Sequence, residues 1–299
     1  MKITQTDAKK FLSRLYGVPV TRLELLSGGE WSLAYGFEHE GQKKVVRFGQ
    51  HVEDYLKDQA AAGLASSELP IPKVLSIGKA FDGYYAISER AEGTMIDYLN
   101  AEEMQAIVPN VLSVLDAIRS IKSKSAIVTK TMAWKDQLLS VYDDIPGARV
   151  SGWKEKLERS ATGLEPFEQC YAKLRELLDL CPDRDDLLHN DLFHFNVLTT
   201  DGQISAVFDW GNTTRGDFLY ELALLSYWAP WFPAMKGIDW ERAARDHYKS
   251  IGLTVPNMDE RLRCYKLHIS LDAQKYCAFT DRWDEVAKNA KAGMALGGG

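Results

Sequence analysis

An α+β protein is expected, with a small β-rich lobe preceding a larger helical one. Three features of the chain carry that expectation. Between Thr21 and Arg90 short apolar runs alternate with turn residues, the punctuation of a small antiparallel sheet. After Gly93 the apolar residues recur mostly with helical period. One β-rich island, residues 187–209, interrupts that helical stretch. The division is placed at residue 90, with 1–90 as the N-terminal lobe and 91–299 as the C-terminal lobe.

Taken in order, Ile3, Phe11, Leu12 and Leu15 mark one side of a short amphipathic helix. Arg22–Leu26, Trp31–Glu38 and Lys43–Phe48 are three strands, separated by the turns Ser27-Gly28-Gly29 and Glu40-Gly41. Val52–Leu64 is a helix, and Pro70-Ile71-Pro72 bars its continuation because each proline lacks an N–H. Val74–Ala80 and Tyr84–Arg90, joined at Asp82-Gly83, form a hairpin. Helices follow over Glu102–Ile121, Glu165–Leu180, Leu219–Trp228, Trp240–Ile251 and Met258–Phe279. The island contributes Leu187–His189 and a hairpin of Asn196–Thr199 with Ile204–Asp209 about Asp201-Gly202. Gly297-Gly298-Gly299 is a frayed end.

Composition narrows the function. With 299 residues, 45% apolar and 26% charged, the chain can bury a real core, which excludes disordered, collagen-like and small disulfide-scaffold proteins. A net charge of −6 argues against a general nucleic-acid coat or an anionic membrane surface, and suits a cationic ligand. No secretory apolar region opens the chain, and Leu222–Phe232, broken by Pro230, is too short to span a bilayer. Cys170, Cys181, Cys264 and Cys277 form no C-x-x-C pair. The expectation is a cytoplasmic monomer with reduced thiols, no structural metal, and neither nucleic-acid nor membrane partners.

The island holds the chemistry. It reads His189-Asn190-Asp191, then Asn196, then Phe208-Asp209-Trp210. Phosphoryl transfer needs a carboxylate to orient the attacking hydroxyl and take its proton. It also needs oxygen ligands for Mg2+, which takes one or two from protein and keeps several waters. Asp191, Asn196 and Asp209 supply a base, an amide oxygen and a carboxylate, and the hairpin folds Asp209 back beside Asn196. Taken singly, Asp191 reads as a turn residue and His189 as a structural histidine. Asp209 among Val207, Phe208 and Trp210 is harder to dismiss, because a carboxylate in an apolar strand must be paired or bind a cation.

His-x-Asp-x-x-x-x-Asn, a hairpin and then Phe-Asp-Trp resemble the catalytic segment of the aminoglycoside phosphotransferases, relatives of the protein kinases. Asn190 stands where that family usually has glycine. Leu69-Pro70-Ile71-Pro72, Ile87–Gly93 and Tyr227–Trp231 look like the hygromycin B phosphotransferases within it. The resemblance implies a protein-kinase-like two-lobed fold and use of ATP and Mg2+. It assigns Asp191 as catalytic base and Asn196 and Asp209 as metal ligands. The turn Ser27, Gly28, Gly29 stands in the place of the nucleotide-covering loop, although alone it would read as a hairpin turn. Arg47 takes the position of the usual phosphate-pairing lysine, with Lys43 as alternative. Asp58, ahead of Glu53 and Asp54, is favoured as its acidic partner. Glu89 and Ala91 fall in the hinge that would read adenine through its backbone.

A polycationic acceptor calls for acids and aromatic walls: Asp191, Asp217, Glu221, Trp228, Trp231 and Asp272 are the candidates. Each acid also reads as an ordinary cap or solvated side chain, and each Trp as core. The implied reaction is phosphorylation of an aminoglycoside hydroxyl, the 4-hydroxyl of hygromycin B, conferring resistance. The alternatives are a kinase of the choline, homoserine, methylthioribose, fructosamine or macrolide type, or a non-catalytic pseudokinase. The short run from Asp209 to Gly216-Asp217 leaves no room for the activation loop of a protein kinase.

Overall fold

A computed structural model describes residues 3–28, 32–121, 127–128, 132–192 and 195–298. In chain order the helices and strands are α1 (Gln5–Tyr16), β1 (Thr21–Gly28), β2 (Ser32–His39), β3 (Gln42–Gly49), α2 (Val52–Ala62), β4 (Val74–Ala80), β5 (Gly83–Glu89), β6 (Thr94–Met95) and α3 (Ala101–Ser120). Then come α4 (Trp134–Leu139), α5 (Trp153–Arg159), α6 (Glu165–Leu177), β7 (Asp186–Leu188), β8 (Val197–Thr200), β9 (Gln203–Val207) and β10 (Thr214–Gly216). The chain closes with α7 (Leu219–Trp228), α8 (Trp240–Ser250), α9 (Met258–Phe279) and α10 (Trp283–Gly297).

The chain falls into two compact units, residues 1–129 with 191–213, and residues 130–190 with 214–299. The expected division at residue 90 differs from this. β6 pairs with β8 through Thr94↔Thr199, and Val207 N–H donates to Pro70 O at 2.7 Å. These bonds tie the β8–β9 hairpin to the unit that holds the N-terminal sheet.

In the first unit an antiparallel five-stranded sheet runs β1-β2-β3-β5-β4. Helix α1 starts from a capping box, Thr4 Oγ1 accepting from Asp7 N–H while Asp7 Oδ2 accepts from Thr4 N–H, and stops at Gly17 with φ 73°. One sheet face, with Tyr35, Phe37, Val46, Phe48 and Ile87, is buried against Ala8 and Leu12 of α1. Because strand side chains alternate, Arg47 lies on the other face, in register with Ala34 of β2 and Ala86 of β5. The β2–β3 and β8–β9 loops are Glu40-Gly41 and Asp201-Gly202, positive in φ at both residues as a type I′ turn requires. The β4–β5 loop is Phe81-Asp82, one residue earlier than expected, since Gly83 already pairs with Ala80.

In the second unit α9 is the central helix, with Cys264, Tyr265, Leu267 and Leu271 buried, and α5, α6, α7 and α10 pack around it. Helices α4 and α5, absent from the sequence reading, span six and seven residues, too few to show a period. Each is held by a buried tryptophan, Trp134 or Trp153. Helix α10 has no counterpart in the sequence expectations, which name only Gly297-Gly298-Gly299 as a frayed end, because its buried face is Val286, Asn289, Ala290 and Gly293 rather than large apolar side chains. Gly293 is needed there: a Cβ would meet Ser270 Oγ at 2.4 Å. No helix among the described residues is long and apolar enough to cross a membrane.

Candidate active site

The first unit assembles most of the residues singled out from sequence. Strand β9 ends at Val207, so Asp209 is not within a strand as expected. It sits two residues beyond, at φ 63°, where the chain enters a 3-10 turn over Trp210–Asn212. The left-handed backbone is one that Asp tolerates better than most residues. It lets Trp210 drop into the core while the Asp209 side chain stays 43% exposed. Phe208 N–H donates to Asn196 O at 3.0 Å, which extends the β8–β9 pairing and sets Asn196 beside the approach to Asp209.

Asn196 is buried, and its Nδ2 donates to the Asp191 carbonyl at 2.7 Å. That bond closes the loop from Asp191 to Asn196. It also fixes the amide so that Oδ1 is the atom a cation would take. Asp191 Oδ2 accepts from Asn212 Nδ2 at 3.1 Å, an orienting contact that sequence reasoning missed because Asn212 lies in no recognisable pattern. Among the described residues no three His, Cys, Asp or Glu side chains gather as a metal cluster. A carboxylate with one amide oxygen is nevertheless the donor set Mg2+ uses when phosphates and water complete its shell.

Arg47 forms an ion pair with Asp58, and its Nη1 lies 3.4 Å from Asp209 Oδ1. Its guanidinium also lies over the Tyr55 ring, 5.2 Å from the centroid. Burial pushes the Tyr55 hydroxyl up to about 12, so the ring is neutral beside this charge. Asp58 is buried and its Oδ1 accepts Trp210 N–H at 2.7 Å, so one carboxylate joins α2, β3 and the turn after Asp209. Lys57 reinforces the same junction through Gly211 O at 2.7 Å and Thr213 O at 3.1 Å. Of the alternatives, Asp54 packs against Gly211, and Lys43 turns to Glu92 at 2.6 Å, away from this cluster.

At the hinge, Glu89 N–H donates to Lys73 O at 3.0 Å and Arg90 N–H to Lys43 O at 3.2 Å; Ala91 follows directly. Gly93, at φ 143°, permits the close approach to β8, since a Cβ would lie 2.6 Å from Thr199 O. Ser27 and Gly28 end β1, paired with Ala34 and Leu33. Gly29 lies outside the described residues.

The second unit corrects two candidates for the acceptor pocket. Asp217 is fully buried, held by Arg261 Nε at 2.9 Å and Nη2 at 2.6 Å and by the Tyr265 hydroxyl at 2.5 Å. It also receives Leu219 N–H at 3.2 Å at the start of α7. A carboxylate so enclosed cannot meet a substrate. Glu221 is likewise buried, 3% exposed, with Oε1 accepting Asn190 N–H at 2.7 Å. Burial raises its pKa to about 7, against the lowering effect of backbone N–H groups of Asn190 and His189. Asn190 itself takes φ 64°. The position is left-handed, which is why a residue other than glycine is tolerated there only if it is one such as Asn.

Trp228 and Trp231 pack edge to face with centroids 4.8 Å apart, and Trp231 is exposed. Asp272 lies on the exposed side of α9, one turn beyond His268, whose Nδ1 is 2.8 Å from the Tyr220 hydroxyl. Burial holds the His268 ring neutral, its pKa depressed to about 3. His268 carried no sequence signal of its own within the helix expected over Met258–Phe279.

Residues 22–253 match the family described as Phosphotransferase enzyme family. The chain belongs to that family. This phosphotransferase is 30% identical over 298 residues, 96% of its length and 83% of the relative's, to the Hygromycin-B 4-O-kinase of Escherichia coli. It is similar to the crystal structure of aminoglycoside phosphotransferase APH(4)-Ia, with a TM-score of 0.85, 29% identity and coverage of 99% of this chain and 100% of the other. A thermostable mutant of that enzyme, in ternary complex with AMP-PNP and hygromycin B, gives a TM-score of 0.79 at 28% identity, covering 97% of each chain. The kinase-like fold, with an antiparallel N-terminal sheet and a helical C-terminal part, agrees with these relatives.

Proposed function

We propose that this phosphotransferase moves the terminal phosphoryl group of ATP, in the presence of Mg2+, to a hydroxyl of an aminoglycoside, the 4-hydroxyl of hygromycin B. The observation that carries the reading is the convergence of Asp191, Asn196, Asp209 and the Arg47–Asp58 pair within one unit. Support for the nucleotide and acceptor comes from the relatives, one named a Hygromycin-B 4-O-kinase and one holding AMP-PNP with hygromycin B.

Asp191 orients the acceptor hydroxyl, with Asn212 fixing the rotation of its carboxylate, and accepts the hydroxyl proton as the new P–O bond forms. Asn196, through Oδ1, and Asp209 would hold Mg2+, which neutralises charge on the phosphate oxygens when bound. Arg47 presents donors to phosphate, its guanidinium held by Asp58 and within ion-pair reach of Asp209. Trp228, Trp231 and Asp272 stay as candidates for acceptor recognition; Asp217 and Glu221 do not.

A coupled ADP-release assay with Mg-ATP and hygromycin B, kanamycin, choline or no acceptor tests the reading. Turnover with hygromycin B is expected. Turnover with choline alone would transfer the enzyme to the metabolite kinases, and silence on every acceptor would refute the acceptor class.

A further inference from the structure

Two large aromatic side chains stand exposed beside the catalytic loop without a part in the chemistry above. Tyr98 is 71% exposed and Phe195 47%, and their rings touch at a centroid distance of 5.6 Å and a tilt of 57°. Phe195 belongs to the loop that the Asn196-to-Asp191 bond closes, so its ring is carried on the backbone that carries Asp191. Two features show that its position is imposed. Its φ is 67°, a left-handed conformation that a bulky aromatic residue adopts only under constraint. Its N–H is clamped by Asp97 Oδ2 at 2.9 Å, and Asp97 adjoins Tyr98. The loop accepts strain and presents apolar surface to water, a combination that folding alone does not favour.

We propose that Tyr98 and Phe195 form a shelf that receives the ring face and an ammonium group of the polycationic acceptor, making them specificity-determining residues. The inference rests on the functional reading above and adds two residues to it. Aromatic faces attract ammonium groups through the ring quadrupole and cover the C–H face of a saturated ring. The Asp97 carboxylate, which holds the Phe195 N–H, and the Asp191 carboxylate of the same loop complement the charge of such a ligand. A ligand seated there rests on the loop that also carries Asp191.

The test is calorimetric titration of the full chain with hygromycin B, and separately with Mg-AMP-PNP, for the wild type, Tyr98→Ala and Phe195→Asn, together with thermal melts. Each variant is expected to raise the Kd for hygromycin B about tenfold, the scale of one lost cation–π contact. The Kd for Mg-AMP-PNP stays unchanged. Phe195→Asn melts no lower than wild type, since Asn tolerates the left-handed backbone. Wild-type affinity for hygromycin B in both variants would overturn the shelf and leave the functional reading standing. A Phe195→Asn protein that melts lower and loses nucleotide as well would make the ring structural and overturn it too. A wild type that binds Mg-AMP-PNP but no hygromycin B would overturn the functional reading, and with it the occupant assigned here.

Discussion

Replacing Asp58 by alanine removes the acid that links Arg47 to Trp210, and its effect can be sized from the structure. The side chains of Asp58 and Arg47 are 7% and 18% exposed. Breaking a buried ion pair by deleting one partner costs about 3–5 kcal/mol, because the remaining charge stays desolvated. Here Arg47 is left with Asp209 at 3.4 Å and some access to water, which places the ionic part near the lower end. The second loss is the acceptor for the buried Trp210 N–H, worth about 1–3 kcal/mol. Asp58→Asn keeps that acceptor and loses only the charge, so the two variants separate the two parts. Alanine should lower stability by about 4–6 kcal/mol and asparagine by about 3 kcal/mol, read from urea midpoints. In both, Arg47 swings onto Asp209, and the KM for ATP rises because the guanidinium is drawn from phosphate. Loss of less than about 1 kcal/mol in the alanine variant, with an unchanged KM, would refute the argument, since that is the scale of an exposed pair.

Asp191→Asn should lower kcat by about two to four orders of magnitude with nucleotide affinity little changed, in the same ADP-release assay; loss of nucleotide binding would mean Asp191 is structural. Glu221 gives a pH signature. Its folded pKa of about 7 lies above the ordinary 4.5, so the folded state holds the extra proton between those values. Its contribution is full below pH 4.5 and is lost as pH rises through 7, amounting to about 3 kcal/mol. Glu221→Gln should therefore flatten the fall in melting temperature between pH 5 and 8; an identical slope in both proteins would remove Glu221 as its source. Asp217→Asn breaks the buried contact with Arg261 and should cost about 3–5 kcal/mol in a thermal or urea melt. Whatever enzyme folds should keep its KM for acceptor, whereas a selective rise in that KM would return Asp217 to the pocket.

The apolar runs of β2 and β3, the turn residues Glu40-Gly41 and Asp201-Gly202, and the helical period of α3 are local properties, and all were legible in the chain. So was the nucleus of the site, because the spacing of Asp191, Asn196 and Asp209 about a hairpin is a short-range constraint. Asp58 could be preferred to Glu53 and Asp54 only as one acid of three. Its pairing with Arg47 depends on how α2 lies on the sheet.

Asp217 and Glu221 show the opposite case. Acids near a catalytic motif read as ligands for a cationic substrate, and both are enclosed, one by Arg261 and Tyr265, the other against the Asn190 backbone. Whether a carboxylate faces solvent, an arginine or a peptide N–H depends on contacts between segments tens of residues apart, which no local pattern encodes. The shelf of Tyr98 and Phe195 was invisible for the same reason: exposure and ring contact across 97 positions of chain exist only after folding. Periodicity and turn chemistry thus specify elements and the order of the catalytic groups. Burial and long-range pairing specify which charges act on a ligand and which hold the protein together, because desolvation is a property of the packed interior.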